Sequence, residues 1–187
     1  LPLKIRAPRK SKDGKPVKSL MQEKRERAAI EEAAKGFEDG KNGEVVHKYT
    51  EDTLNEHVTS TQGKGALVYF FAPWCNHCKD QRPGFVEASR NVADFLEEKD
   101  VQVHANPFVA VNCDVATDLC QKFKIDSYPK YKWFEKPDDA GTDFPGGRDA
   151  AGFSKFVADK FGLKYKPVTE FMSELNSFDF GDDEKEL

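Results

Sequence analysis

The sequence predicts an α/β protein with a mixed β-sheet that carries helices on both faces. Two apolar runs, ALVYFFA at 66–72 and PFVAVNCD at 107–114, have the composition of strands buried on both faces. Stretches with helical spacing alternate with the strand segments along the chain. The resulting order, β-α-β-α-β-α-β-β-α, is typical of a sheet whose strands are joined by helices packed on its two faces.

The individual elements follow from local signals. VVHKYT predicts a short first strand, and Thr50 is placed to cap the helix that follows it. The first buried strand leads directly into WCNHCK, which opens an amphipathic helix that Pro83 is expected to kink. The remaining segments predict a short helix, a hairpin of two strands and a closing helix that ends at Gly162: TDLCQKFK, YPKYKWFEKP with TDFPGG, and RDAAGFSKFVADKFG.

Composition divides the chain into three parts. Its 187 residues are 38% hydrophobic and 33% charged, which is too polar for a chain that folds along its whole length. We expect a globular domain at 45–165, an N-terminal arm at 1–44 and a C-terminal tail at 166–187. The net charge is only −4, yet the arm is basic and the tail is acidic.

The basic arm contains one predicted helix. Ser19 and Gln22 fit a capping box, and good helix formers follow up to a stop at Gly36. Its few apolar residues cannot support independent folding. Two interpretations stay open: a solvated extension, or an arm that anchors the chain in a larger protein assembly. Nucleic acid is not expected as a partner, because the arm lacks interleaved aromatic residues.

No apolar run approaches the length of a membrane span, and no apolar signal segment is visible. The first residue, Leu1, is not a methionine, so we expect a processed or trimmed chain.

The stretch APWCNHCK contains the residues with the clearest chemistry. Cys75 is placed at a helix N-terminus, where unpaired N–H groups and the helix dipole stabilise a thiolate. Cys78 lies one turn inside the helix, so the two sulfurs can form a small ring and Cys78 can resolve a mixed disulfide. His77 adds a group that can be cationic beside the thiolate, and Trp74 offers an apolar platform next to the exposed sulfur.

Two other interpretations of the Cys-x-x-Cys pair are weaker. A zinc site needs a second pair of ligands, and the spacing of Cys113 and Cys120 does not fit a zinc knuckle. A purely structural crosslink between Cys75 and Cys78 would close so small a loop that it would constrain the unfolded chain very little. A redox couple without metal or external cofactor is therefore the favoured interpretation.

The same residues carry a family resemblance. APWCNHCK, preceded by a buried strand and followed by Pro83, resembles the active-site segment of protein disulfide isomerases. The resemblance extends over roughly residues 45–165 through VVHKYTEDTL, DSYPKYKWF and FPGGRDAAGFSKFV. It implies a thioredoxin-like fold and thiol–disulfide exchange with protein substrates that carry thiols or disulfides.

The resemblance also implies roles for single residues. Cys75 corresponds to the attacking cysteine, Cys78 to the resolving cysteine, and His77 to the group that tunes the pair toward oxidation. Pro129 corresponds to the cis-proline that lies against the sulfurs and helps to receive an extended substrate. Arg148 corresponds to the mobile arginine that lowers the pKa of the resolving cysteine; without the resemblance it would be an ordinary surface arginine.

Three positions depart from the family pattern. Tyr69 stands where the family normally has a buried carboxylate that relays the proton of the resolving cysteine, and a phenol with a pKa of about 10 is a poor proton acceptor. This substitution predicts slower turnover. Asn76 replaces the usual glycine, and Lys130 adds positive charge after the cis-proline.

A second pair of cysteines lies further along the chain. Some members of the same family have a structural disulfide at positions that correspond to Cys113 and Cys120. Such a bridge would tie a strand end to the next helix, and we expect it here. Two reduced, buried cysteines are the alternative, which suits a reducing compartment.

Two functional hypotheses follow. The first is a thiol–disulfide oxidoreductase in the lumen of the endoplasmic reticulum or another oxidising secretory compartment, which the terminal EKEL supports only weakly. The second is a thioredoxin-like structural subunit that its arms hold in a larger complex inside an organelle, with little or no turnover.

Overall fold

The computed structural model describes residues 19–34, 45–167 and 172–173. Within the arm, the first helix, α1, spans Leu20–Ala34. The Ser19 N–H donates to Gln22 Oε1 at 2.8 Å, and the Gln22 N–H donates to Ser19 Oγ at 3.2 Å, which confirms the predicted capping box. The predicted helix stop at Gly36, the remainder of the basic arm and most of the acidic tail lie outside the described residues.

The globular part begins at Val45, where the strand signals begin. In chain order it contains β1 (Val46–His47), α2 (Glu51–Ser60), β2 (Ala66–Phe71), α3 (Asn76–Glu98), β3 (Phe108–Asn112), α4 (Thr117–Lys122), β4 (Lys130–Phe134), β5 (Thr142–Asp143) and α5 (Ala150–Lys160). The alternation of strands and helices that the sequence predicts is confirmed.

These strands form one sheet with the order β1-β3-β2-β4-β5. The first three strands of that order are parallel, while β4 runs antiparallel to β2 and β5 antiparallel to β4. The predicted mixed sheet is therefore confirmed. The two central parallel strands end at the same edge, which brings the segments after Phe71 and Asn112 together.

Side-chain alternation along β2 divides the core into two layers. Leu67 and Tyr69 belong to the layer that packs against α3 and α5, whereas Val68 and Phe70 belong to the layer with α2 and α4. Every residue of β2 is buried, which is why its sequence is continuously apolar rather than alternating. The helices on both faces thus follow directly from the composition of this strand.

Two predicted strands are much shorter than their sequence signals. The outer strands β1 and β5 contain only two residues each. Each pairs with a single neighbour, so fewer hydrogen bonds and less burial hold these segments extended. The predicted cap at Thr50 is confirmed, because its side chain accepts the N–H of Thr53. Gly162 follows α5 with a φ of +76°, a conformation that glycine adopts without strain.

Among the helices of the described residues, none has the combination of length and apolar character that crossing a membrane requires.

Candidate redox site

The Cys75–Cys78 pair lies where β2 delivers the chain to the start of α3. Cys75 is the N-cap residue of the helix, and its Sγ accepts the backbone N–H of Cys78 at 3.1 Å. The structure joins the two residues by a disulfide with Cα atoms 5.2 Å apart. On reduction, the helix N-terminus would stabilise a Cys75 thiolate through this N–H group and the helix dipole.

Both cysteines are buried, and exposed residues flank them. Cys75 is 7% exposed and Cys78 only 2%, while the neighbouring Trp74 is 65% exposed and His77 is also exposed. Cys75 is consequently the outer sulfur of the pair and Cys78 the inner one. A large apolar ring stands in solvent immediately beside the outer sulfur.

The segment that precedes β4 contacts Trp74, the residue before Cys75. Its Tyr128–Pro129 peptide bond is cis, and Pro129 is buried. The Trp74 ring packs edge-on against the Tyr128 ring with centroids 5.8 Å apart. The indole Nε1–H of Trp74 donates to Asp114 Oδ1 at 3.3 Å. Trp74 therefore links the cysteine segment to the cis-proline segment and to the end of β3.

Tyr69 lies in the buried layer beneath the couple. Its hydroxyl donates to the backbone carbonyl oxygen of Cys78 at 2.7 Å, and its ring stacks on that of Tyr131 with centroids 5.1 Å apart. Burial raises the pKa of Tyr69, an effect that the positive charge of Arg82 partly opposes. The Tyr69 phenol is therefore neutral and acts as a donor at physiological pH.

Arg148 reaches the site through the second tyrosine of this layer. Its exposed guanidinium lies 5.6 Å from the ring centroid of Tyr131, a cation–π arrangement. The Tyr131 hydroxyl donates to Gln81 Oε1 at 3.0 Å, and burial is the main cause that raises the pKa of Tyr131. Arg148 is thus connected to Cys78 by contacts that run through Tyr131 and Tyr69.

Lys130, the residue after the cis-proline, is held in an ion pair. Its Nζ lies 3.2 Å from Asp143 Oδ2, and Lys132 Nζ lies 2.9 Å from Asp143 Oδ1. These lysines lower the pKa of Asp143, mainly through the hydrogen bond from Lys132. Asp143 therefore offsets part of the positive charge that the sequence places after Pro129.

The second pair of cysteines lies on the other layer of the core. Cys113 follows β3 and Cys120 lies in α4, and the structure joins them by a disulfide with Cα atoms 5.7 Å apart. Their exposed fractions are 5% and 4%. This bridge is buried about as deeply as the Cys75–Cys78 pair, but it lies in the layer of the core that contains α2 and α4.

Sequence reasoning missed three residues that contact the candidate site: Asp114, Gln81 and Tyr131. For Asp114 a usable signal existed, because it follows one of two parallel strands whose ends meet at the cysteine segment. For Tyr131 there was none, because its contact with Tyr69 depends on the register between β4 and β2, where the two residues are partners.

No group of three or more potential metal-ligating side chains occurs in the part of the chain that the structure describes.

The globular part of the chain is similar to known proteins. A protein-family model described as Thioredoxin matches residues 45–159. The chain is 38% identical over 112 residues to the protein disulfide-isomerase tigA of Aspergillus niger, covering 58% of this chain and 28% of that protein. It is 36% identical over 125 residues to a probable protein disulfide-isomerase A6 of Medicago sativa, covering 67% of this chain and 32% of that protein.

A solved structure shares the fold. The zinc-bound form of human ERp44 superposes with a TM-score of 0.52 at 25% identity, covering 62% of this chain and 32% of that one. The fold and the cysteine-bearing helix start thus define a protein of the thioredoxin-fold class. Within that class, the chain belongs to the protein disulfide isomerase family. It spans about a third of the length of these curated relatives.

Proposed function

We propose that the protein is a thiol–disulfide oxidoreductase that exchanges disulfides with protein substrates through Cys75 and Cys78. The reaction requires no external cofactor, because the two sulfurs hold the exchanged electrons. The names of the curated relatives support this proposal. Both cysteine pairs are disulfide-bonded, which fits the lumen of the endoplasmic reticulum or another oxidising secretory compartment.

One observation carries the proposal. Cys75 is the N-cap residue of an α-helix of 23 residues, and its Sγ accepts a hydrogen bond from the backbone N–H of Cys78. The thiolate of Cys75 is therefore stabilised, both as a leaving group and as a nucleophile. Trp74, 65% exposed beside this sulfur, offers apolar surface to a bound polypeptide. Pro129 would receive the extended backbone of the substrate on the opposite side.

Oxidation of a substrate would take two exchange steps. A substrate thiolate attacks Cys75 Sγ, the Cys75–Cys78 bond breaks, and Cys78 leaves as a thiolate that takes up a proton. A second substrate thiolate then attacks the substrate sulfur of the mixed disulfide, the substrate disulfide forms and Cys75 leaves as a thiolate. Two electrons pass from the substrate to the couple, which glutathione disulfide can reoxidise in an assay.

Resolution of a mixed disulfide should be comparatively slow. Cys78 must lose its proton before it attacks Cys75, and the buried phenol of Tyr69 donates a hydrogen bond instead of accepting a proton. Arg148 would assist when its guanidinium moves inward from the Tyr131 ring, because a nearby cation favours the Cys78 thiolate. His77 would favour the thiolate of Cys75 in the same way.

The domain at 45–165 would carry this chemistry by itself. The basic arm at 1–44 would attach it to a larger protein assembly, and the acidic tail at 166–187 would remain peripheral to the reaction. The three parts are divided where the composition of the chain changes. The family match over residues 45–159 supports the extent of the central domain.

Oxidative refolding of a reduced, denatured test protein in glutathione buffer tests the proposal. The chain should accelerate recovery of the native test protein, and Cys75→Ser should abolish the acceleration. The matched control is the double variant Cys113→Ala/Cys120→Ala, which removes the buried disulfide and should retain the acceleration. Cys78→Ser should accumulate a mixed disulfide with the test protein on a non-reducing gel.

Equal refolding rates with the wild-type chain and Cys75→Ser would refute the oxidoreductase. That result would favour the structural subunit held by its arms.

A further inference from the structure

We propose that Arg82 is a positioning residue of the redox couple, whose guanidinium stabilises the thiolate of Cys78 in the reduced protein. The inference rests on the proposed function, since it assigns one more residue to the same couple. It concerns the inner cysteine, which is the one that must ionise to release a bound substrate.

Helix geometry brings Arg82 to Cys78. Both residues lie in α3, which extends over Asn76–Glu98 with Pro83 inside it, and they are four positions apart on the N-terminal side of that proline. Side chains at this spacing are neighbours on one helix face, with Cβ atoms about 5–6 Å apart. Helical side chains also lean toward the helix N-terminus, so Arg82 leans toward the turn that carries Cys78. Arg82 is half-buried, which limits the screening of its charge by water.

The charge of Arg82 acts on two groups of the layer beneath Cys78. It opposes the burial-driven rise in the pKa of Tyr69, whose hydroxyl binds the Cys78 carbonyl. It also adds to the burial that lowers the pKa of His47. The rings of Tyr69 and His47 lie 5.3 Å and 6.3 Å from the ring of Phe71. The same cation therefore acts on both groups, one of which is bonded to Cys78 through its hydroxyl.

The ionisable side chains that pack beneath the couple are neutral at pH 7. Tyr69 from β2 and Tyr131 from β4 are neutral, because burial raises the pKa of each phenol. His47 from β1 is neutral at pH 7, because its pKa is lowered to about 4. At the margin of this layer, Arg148 lies over the Tyr131 ring and Arg82 lies on the helix of Cys78 itself, while His77, Lys79 and Asp80 beside Cys78 are all exposed to solvent. Arg82 needs no loop movement to act.

The chemical consequence falls on the resolving step. Cys78 gives its proton to solvent, its thiolate attacks Cys75 Sγ, the Cys75–Cys78 bond forms and the bond from Cys75 to the substrate breaks. The substrate sulfur leaves as a thiolate and takes up a proton. A fixed cation beside Cys78 raises the fraction of thiolate, and it also makes the oxidised couple easier to reduce. Arg82 would thereby compensate in part for the lack of a proton acceptor at Tyr69.

A titration of Cys78 tests this role without any substrate. In Cys75→Ser, Cys78 is the one thiol of the couple, while Cys113 and Cys120 remain bonded. The thiolate of Cys78 is followed by its ultraviolet absorbance against pH, with Cys75→Ser/Cys78→Ser subtracted to remove the tyrosine signal. Adding Arg82→Gln should raise the pKa of the Cys78 thiol and lower the thiolate fraction at pH 7 about tenfold.

Two control variants separate the charge from its surroundings. Lys99→Gln removes the same charge from the end of the same helix, about 30 Å from Cys78, and should leave the titration unchanged. Arg82→Lys keeps the charge and should retain most of the thiolate fraction. An unchanged titration in Arg82→Gln would overturn the proposal, and so would an equal shift in Lys99→Gln or in Arg82→Lys. Because the titration requires no turnover, these results are independent of the refolding assay that tests the oxidoreductase itself.

Discussion

The hydroxyl of Tyr69 donates a hydrogen bond to the backbone carbonyl oxygen of Cys78 across 2.7 Å. Both residues are buried, with Tyr69 fully inaccessible and Cys78 2% exposed. The bond ties the central strand β2 to the first turn of α3, the turn that presents the cysteine pair. An ionised carboxylate at this place would have no proton to donate, whereas the phenol of Tyr69 donates one, so Tyr69 supplies an anchoring contact where the family resemblance implies a proton acceptor.

Replacing Tyr69 separates the anchoring role from proton transfer. Tyr69→Phe removes only the hydroxyl and should lower the free energy of unfolding by about 1 kcal/mol, as measured by urea denaturation of the oxidised protein. It should leave the release rate of a mixed disulfide unchanged, because the phenol does not accept the Cys78 proton. Tyr69→Glu introduces an acceptor and should raise that rate about tenfold or more. The rate is measured by single-turnover release of a substrate from Cys75.

A large drop in release rate in Tyr69→Phe would contradict this assignment, since it would place the hydroxyl itself in the proton transfer. Unfolding curves of both variants provide the necessary control, because Glu buries a polar group in an aromatic layer.

Local signals explain why much of the fold could be predicted from the sequence. The continuously apolar β2 and the capping residues Ser19 and Thr50 are each specified by a few adjacent residues. Cys75 belongs to the same class, because it immediately precedes the helical stretch that begins at Asn76 and so takes the N-cap position. Physical preferences of this kind act within one turn or one strand, so they are readable along the chain.

The surroundings of the couple depend instead on contacts between distant segments. Tyr131 meets Tyr69 through the register of two antiparallel strands, and Trp74 bonds Asp114 across 40 positions of the sequence. Register is fixed by the packing of the whole sheet, so single-sequence patterns did not identify these partners. The short strands β1 and β5 show the same limit, because pairing with one neighbour decides their length.

The disulfide between Cys113 and Cys120 should contribute stability without taking part in exchange. It closes a short loop between β3 and α4, and both sulfurs are buried. The double variant Cys113→Ala/Cys120→Ala should lower the free energy of unfolding by roughly 2–3 kcal/mol, since the unfolded chain regains the freedom that the crosslink removes. Urea denaturation under oxidising conditions measures the difference.

The same double variant should keep its Cys75-dependent refolding activity, because the two disulfides lie in different layers of the core. Loss of that activity in a variant that remains folded would show that the buried bridge supports the couple directly.

His47 should make the stability of the domain depend on pH. Its two ring nitrogens are buried, and desolvation, helped by the charge of Arg82, lowers its pKa from 6.5 to about 4. Between these values the unfolded chain binds a proton that the folded chain excludes, so the contribution of this group to stability falls as the pH falls from about 6.5 toward 4.

His47→Phe keeps an aromatic ring against Phe71 and removes the titration. The wild-type protein should therefore lose about 2 kcal/mol more than His47→Phe between pH 7 and pH 5. Urea denaturation of both proteins at the two pH values measures this difference, from which the effects of the carboxylates and of His57 cancel. Equal pH dependence in the two proteins would show that His47 is protonated in the folded state as easily as in the unfolded one.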